Sequence, residues 1–217
     1  MLSEVSLPRR LAAEGVGSAL LLATVVGSGI MGEKLSGGNA ALALIVNSLA
    51  TGAALVALIL TFETAHLNPL VTVVSAARRE TARGEVPSLL LVQVAGAFAG
   101  VALANLMFDK PVFFPSHHAR QGAGQVLGEG IATFGLLSVT LGCTRHRPFA
   151  VAAYVTAAYW FTSSTSFANP AVTLARMASD TFAGIRPADV PGFIAAQLVG
   201  AAAATLFFRW LRPKEAG

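Results

Sequence analysis

Apolar residues run along this chain in long blocks separated by short polar stretches, the pattern of helices apolar all round rather than amphipathic on one side. Blocks that reach or approach the ~20 residues of a membrane-spanning helix fall at about 11 to 30, 40 to 60, 88 to 108, 124 to 143, 148 to 162 and 191 to 211. Two shorter apolar runs interrupt the series, Leu70 to about Arg78 and Ala171 to about Asp180. Each has about ten residues, or about 15 Å of helix, so neither spans alone, but two end to end match one hydrocarbon core of about 30 Å. Both runs follow the same dipeptide, in Asn68-Pro69-Leu70-Val71-Thr72 and Asn169-Pro170-Ala171-Val172-Thr173. Asparagine is a preferred helix N-cap and proline suits the first helical position, so each copy reads as a helix start.

Composition agrees with an integral membrane protein: 54% of residues are hydrophobic and 12% charged. The net charge of +4 does not make a nucleic-acid-binding surface, because the basic residues sit at span ends rather than in one patch. Arg9, Arg10, Arg78, Arg79, Arg83, Arg145, Arg147, Arg209, Arg212 and Lys214 fall on one side of a six-span plan. Lys34, Lys110, Arg120, Arg176 and Arg186 fall on the other. The positive-inside bias puts both termini in the cytoplasm. The first span is too long for a signal peptide and lacks a small-residue cleavage site, so it is expected to be retained. A single cysteine, Cys143, excludes an internal disulfide and a multi-cysteine metal site; no cofactor or metal is expected.

The Asn-Pro segments belong to a larger duplication. Glu14-Gly15 in the first span is echoed by Glu129-Gly130 in the fourth, and Gln93-Val94-Ala95-Gly96 in the third by Gln197-Leu198-Val199-Gly200 in the sixth. Each copy holds three spans, and an odd number inserts the second copy upside down. The two short helices then enter from opposite faces with their starts meeting at the midplane. Non-helical backbone at that depth is tolerated only when buried in protein or lining a water-filled cavity, which implies a central aqueous path. Glycines at 15, 17, 27, 96, 100, 128, 130 and 200 predict close helix crossings around it.

On these residues the whole chain resembles the aquaporin and aquaglyceroporin (major intrinsic protein) superfamily. Ala65-His66-Leu67-Asn68-Pro69 is similar to the family's first half-helix start, and Ser166-Phe167-Ala168-Asn169-Pro170-Ala171 to its second. The resemblance implies an all-α fold of six transmembrane helices plus two re-entrant half-helices in an inverted 3+3 repeat. One channel domain would cover 1–217, with repeats at about 8–110 and 122–212, and the assembly would be a homotetramer. Three departures stand out. The first motif is Asn-Pro-Leu, the approach Thr61 to His66 is about three residues short, and the arginine that usually follows the second motif is Val172. This pattern is similar to divergent bacterial members associated with arsenic resistance, and implies multi-pass residence in a bacterial inner membrane. Carried over by position, the midplane constriction is Asn68, Pro69, Leu70, Asn169, Pro170 and Ala171, and the outer filter Thr51, Ala157, Ser166 and Val172. A filter with valine for arginine and with small Ala157 and Ser166 is expected to be wide and less polar.

Individual side chains carry alternatives. Asn68 and Asn169 are expected to cap their half-helices through the side-chain oxygen and to offer amide hydrogens to a passing solute. Opposed positive helix ends there would repel cations, hydronium included. Glu14 and Glu129, one per repeat, read as acceptors supporting the half-helix loops, the alternative being proton or ion coupling. His66 either lines the inner vestibule or bonds loop backbone. His117 and His118 read as a solvated loop, and Arg176 as a charge at the outer mouth or in an intersubunit pair. Tyr159, Trp160 and Phe161 lean towards an interfacial aromatic belt over a pore wall. Together these features predict a passive channel, not an enzyme, in a lipid bilayer. Its solutes would be small and neutral, such as water, polyols, urea-sized molecules or undissociated metalloid acids. The competing expectation is an ion- or proton-coupled secondary transporter, which also uses inverted repeats.

Overall fold

The computed structural model describes residues 5–212 and is all-helical across them. The helices are α1 (Leu7–Leu35), α2 (Ala40–Thr61), α3 (Pro69–Ala77), α4 (Val86–Met107), α5 (Ala123–Gly142), α6 (Arg147–Phe161), α7 (Pro170–Arg176) and α8 (Val190–Leu211). Short 3₁₀ turns, Arg83–Glu85 and Pro187–Asp189, lead into α4 and α8. Among the described residues α1, α2, α4 with its leading turn, α5 and α8 with its leading turn are long and apolar enough to cross a membrane. Helix α6, with 15 residues, covers about 22 Å and continues as non-helical chain towards Asn169. Lys214 lies outside the described residues.

Consecutive long helices run in opposite directions and each half-helix runs the same way as the long helix before it, so α1 to α4 form one half and α5 to α8 the other, with opposite sense. Half-helix α3 runs from the middle of the bundle back to the face that carries the start of α1 and the end of α8. Half-helix α7 runs from the middle to the opposite face. Both are shorter than the sequence suggests, at 9 and 7 residues. Helix α7 ends at Arg176 where the bonding tightens to the 3₁₀ pattern, Met177 N–H to Leu174 O at 3.4 Å and Ala178 N–H to Ala175 O at 3.1 Å. The carbonyls just beyond accept from the connecting segment, Phe114 N–H donating to Ala178 O at 3.0 Å and Ser116 N–H to Met177 O at 2.9 Å. Residues 108–122, which join the halves, are tied down by these bonds and by Asp180. Its carboxylate accepts from His117 N–H at 2.8 Å and lies 3.0 Å from His117 Nδ1. Those bonds hold the Asp180 carboxyl below its ordinary pKa.

Two equivalent helix crossings set the spacing of each half. A Cβ on Gly96 would fall within contact distance of Gly15 O, and a Cβ on Gly200 within that of Gly130 O. Small residues there let backbones touch, which is how apolar helices gain packing energy where lipid removes the hydrophobic incentive. The main core gathers Leu21, Leu22, Val26, Val101, Phe167 and Phe193 around the centre. The outward faces present Leu91, Val199, Leu206 and Trp210 to the surroundings, as a lipid-facing surface requires.

Candidate functional site

The centre of the molecule is built by two loops that have lost helical geometry just before each half-helix. Leu67 and Ala168 both adopt positive φ, 56° and 48°, a left-handed backbone that turns their carbonyls inward. What holds them there is a carboxylate from the long helix alongside. Glu14 accepts from His66 N–H at 2.6 Å and Leu67 N–H at 2.8 Å. Glu129 accepts from Phe167 N–H at 2.7 Å and Ala168 N–H at 3.0 Å. Both glutamates are fully buried. Gln197 Nε2 donates a third bond to Glu129 at 2.7 Å and reaches Thr173 Oγ1 at 2.8 Å, and Gln93 Nε2 reaches the equivalent Thr72 Oγ1 at 2.9 Å. The glutamine echo in the sequence is thus a clamp on the first turn of each half-helix.

Asn68 and Asn169 complete the centre. The Asn68 side-chain oxygen accepts from Leu70 N–H at 2.9 Å, and that of Asn169 from Ala171 N–H at 3.0 Å and Val172 N–H at 3.3 Å. Each amide nitrogen then crosses to the other half, Asn68 Nδ2 to Ala168 O at 2.9 Å and Asn169 Nδ2 to Leu67 O at 2.8 Å. An amide carries two hydrogens, so one per asparagine is spent on the opposite loop and one remains. Both asparagines border a cavity of about 850 Å³. It extends from Arg10, Glu85 and Arg147 at the terminal face, past His66, to Thr51, Tyr159, Val172 and Arg176 beyond the centre.

Helical periodicity decides which motif residues meet this cavity. The third and seventh residues after each asparagine do so, Val71 and Ser75 on α3 and Val172 and Arg176 on α7. Pro69, Leu70, Pro170 and Ala171, expected at the constriction, do not border it. Leu70 packs instead with Val74, Leu137 and Ala204, and Ala171 joins the main core. They act at one remove, by starting the helices that aim the asparagines.

Of the expected filter residues, Thr51, Ser166 and Val172 are buried beside the cavity, while Ala157 is exposed on the outer side of α6. The pore-facing stripe of α6 is Val151, Val155 and Tyr159, spaced one turn apart. Ala157 lies two residues off that stripe, on nearly the opposite side. Tyr159 therefore leaves the aromatic belt. It is 3% exposed, and its hydroxyl lies 3.2 Å from Thr51 Oγ1. Trp160 and Phe161 do face outward, and Trp160 Nε1 bonds Ser48 Oγ at 3.1 Å. A count of α6 in steps of four from Val151 would have found Tyr159.

His66 borders the cavity, and its ring Nδ1 lies 3.0 Å from a side-chain hydroxyl, Thr72 Oγ1 on α3, rather than against loop backbone. Arg176 meets only part of the expectation for it. It is 2% exposed and lies inside the chain, which excludes an intersubunit pair, with its guanidinium 3.4 Å above the centre of the Phe167 ring. Arg120 packs near the same ring at 4.9 Å. Among the described residues no cluster of histidine, cysteine and carboxylate side chains could hold a metal.

Comparison with known proteins agrees with this architecture. Residues 1–155 match the family described as Major intrinsic protein. The chain is 50% identical over 217 residues to "Aquaglyceroporin AqpS" of Rhizobium meliloti (strain 1021), covering 97% of this chain and 93% of that protein. It is 36% identical over 116 residues to "Probable aquaporin NIP5-1" of Arabidopsis thaliana, covering 52% of this chain and 35% of that one. The fold superposes on the X-ray structure of the aquaglyceroporin from Plasmodium falciparum with a TM-score of 0.70 at 18% identity, over 94% of this chain and 96% of that one. With the duplicated asparagine caps, the carboxylate-braced loops and the family match over most of its length, the chain belongs to the major intrinsic protein family.

Proposed function

We propose that this chain is a passive pore for small uncharged solutes of glycerol or urea size, undissociated metalloid or arsenical acids and water among them. Family membership makes it an integral membrane channel for small solutes and not an enzyme. The observation that carries the finer reading is the cavity itself. It passes the two asparagines and meets no carboxylate at mid-depth free to bind an ion, because Glu14 and Glu129 are occupied by loop donors. A neutral solute passing the centre exchanges water for the remaining amide hydrogen of Asn68 and Asn169, while the facing helix starts disfavour cations.

At the next level the path is bounded by Thr51, Tyr159, Ser166 and Val172. Valine where the family resemblance leads one to expect arginine leaves an apolar wall that hydroxylated or amide solutes pass without competing for a fixed guanidinium. Width at this level rests on the Tyr159 hydroxyl instead of on Ala157. In the cell we place the chain in a bacterial plasma membrane as a homotetramer with both termini cytoplasmic. The arginine-rich ends of α1, α4 and α6 on the terminal face support that orientation.

The test is stopped-flow light scattering on proteoliposomes holding wild type or Val172→Arg, with water, glycerol, urea and neutral metalloid acids. Val172→Arg is expected to cut flux of the larger solutes more than that of water. Unchanged flux of every solute contradicts the filter assignment, and wild-type flux that follows an imposed proton or sodium gradient contradicts passive transport.

A further inference from the structure

The charge missing at Val172 is present one helical turn farther along the same face. Val172 and Arg176 are four residues apart on α7, a rise of about 6 Å, and both border the cavity. Their places in the first repeat are taken by Val71 and Ser75, which border it too. The pore-facing register of the half-helices is therefore the same in both halves, and the second half puts a guanidinium where the first has a hydroxyl.

Two arginines lie buried near the Phe167 ring, and they differ in what their donors do. Arg120 is consumed by the fold. Its Nε donates to Gly184 O at 2.7 Å, its Nη1 to Ser164 O and Thr165 Oγ1 at 3.2 Å, and its Nη2 to Phe182 O at 3.3 Å. Arg176 gives only its Nε, to Ala183 O, and among the described residues neither of its terminal nitrogens has a partner. Ring stacking and that single bond fix the plane of the guanidinium and leave the outer edge of the fork unspent. Neither arginine pairs with a carboxylate among the described residues, so the positive charge at this end of the path is not neutralised. A second unpaired polar group lies at the same end: Ser166 is 4% exposed, borders the cavity, and its hydroxyl has no hydrogen-bond partner.

We infer that Arg176 is a specificity-determining residue of this pore, holding the cation barrier and the solute-orienting donors one turn away from the apolar level of Val172. This rests on the proposed passive pore and refines it into two stations. A hydroxylated neutral solute coming from the opposite face first meets the free edge of the Arg176 fork. It then passes the level of Thr51, Tyr159, Ser166 and Val172, and only afterwards the asparagines. Separating donor from constriction lets the solute be desolvated in two steps, and keeps a fixed positive charge in the path of a cation.

The experiment uses the full chain in proteoliposomes and compares wild type with Arg176→Gln, Arg176→Lys and the exchange Val172→Arg/Arg176→Val. Proton and sodium leak are read with entrapped dyes, and glycerol, urea and water flux by light scattering. Arg176→Gln is expected to raise cation leak on the order of tenfold or more, since it removes a unit charge bordering the cavity, and to shift the glycerol-to-urea flux ratio. Arg176→Lys keeps the charge and loses the planar fork, so leak stays low while the ratio of glycerol to urea flux changes. The exchange is expected to restore low leak and to slow glycerol. Leak and solute ratios unchanged in both single variants overturn the inference, as do fluxes that all fall in proportion without added leak, the mark of a structural role. If Arg176→Gln does not yield folded protein, the glycerol-to-urea ratio in Arg176→Lys decides. Wild type that passes no neutral solute contradicts the proposed pore, whereas a conducting wild type with indifferent Arg176 variants contradicts only this inference.

Discussion

Replacing Glu129 tests whether the buried carboxylates brace the loops or carry protons. Alanine at this position leaves Phe167 N–H and Ala168 N–H without an acceptor, together with one bond from Gln197. Each buried backbone donor left unsatisfied costs about 1–3 kcal/mol, so the two amount to about 2–6 kcal/mol. Glutamine keeps one acceptor oxygen and forfeits one of the two, about 1–3 kcal/mol. The damage does not stop at stability, because the braced loop presents Ala168 O to Asn68. Once the loop relaxes, Asn68 loses the partner that aims its amide. The expected order of thermal unfolding midpoints in detergent is therefore wild type, then Glu129→Gln, then Glu129→Ala, with solute flux per folded channel falling in the same order. An alanine variant as stable and as conductive as wild type refutes the bracing argument. A glutamine variant of wild-type stability that loses only gradient-driven solute accumulation assigns Glu129 to proton coupling instead.

Three further outcomes are expected. Gly96→Ala and Gly200→Ala each push a methyl against a facing backbone carbonyl, of Gly15 and Gly130, and should cost about 1–3 kcal/mol as overpacking; Gly84→Ala, with open space around it, should leave the unfolding midpoint unchanged. The double variant Asn68→Ala/Asn169→Ala should raise proton leak or abolish solute flux, as read in dye-loaded liposomes, and wild-type selectivity would contradict the midplane role. Because the Asp180 carboxyl is held below its ordinary pKa by the His117 N–H and ring, the stabilisation it gives is fully present above the unfolded value of about 3.9. It is lost as pH falls through the lower folded value. Hydrogen exchange at the His117 amide should accelerate only below about pH 4, and Asp180→Asn should abolish that step.

What the sequence made legible follows from periodicity and duplication. Spans, half-helices and the pairing of Glu14 with Glu129 were readable because each recurs, and recurrence in an odd-span repeat carries geometry. The side chains that surround the path beyond the asparagines were less legible, for a physical reason. Whether Ala157 or Tyr159 faces inward depends on the rotation of α6 about its axis, which in an apolar helix leaves no polar stripe to read. The burial of Arg176 is illegible for a related reason: a charge near a span end ordinarily faces water. Its burial depends on Phe167 and Ala183, which come near it only in the folded chain. The remaining amide hydrogen of each asparagine was likewise hidden, since its fellow is spent on a carbonyl supplied by the other half.

Those crossed asparagine bonds also constrain how the protein is made. While only α1 to α4 have been inserted, Asn68 has no Ala168 carbonyl to bind and the Leu67 carbonyl has no Asn169 to bind it. The first re-entrant loop then holds unsatisfied polar groups at the depth where lipid satisfies none. A half-built chain therefore has a strong thermodynamic pull towards its second half and no finished water path of its own. The same pair of bonds that fixes the two asparagine amides can therefore form only when both halves are in place.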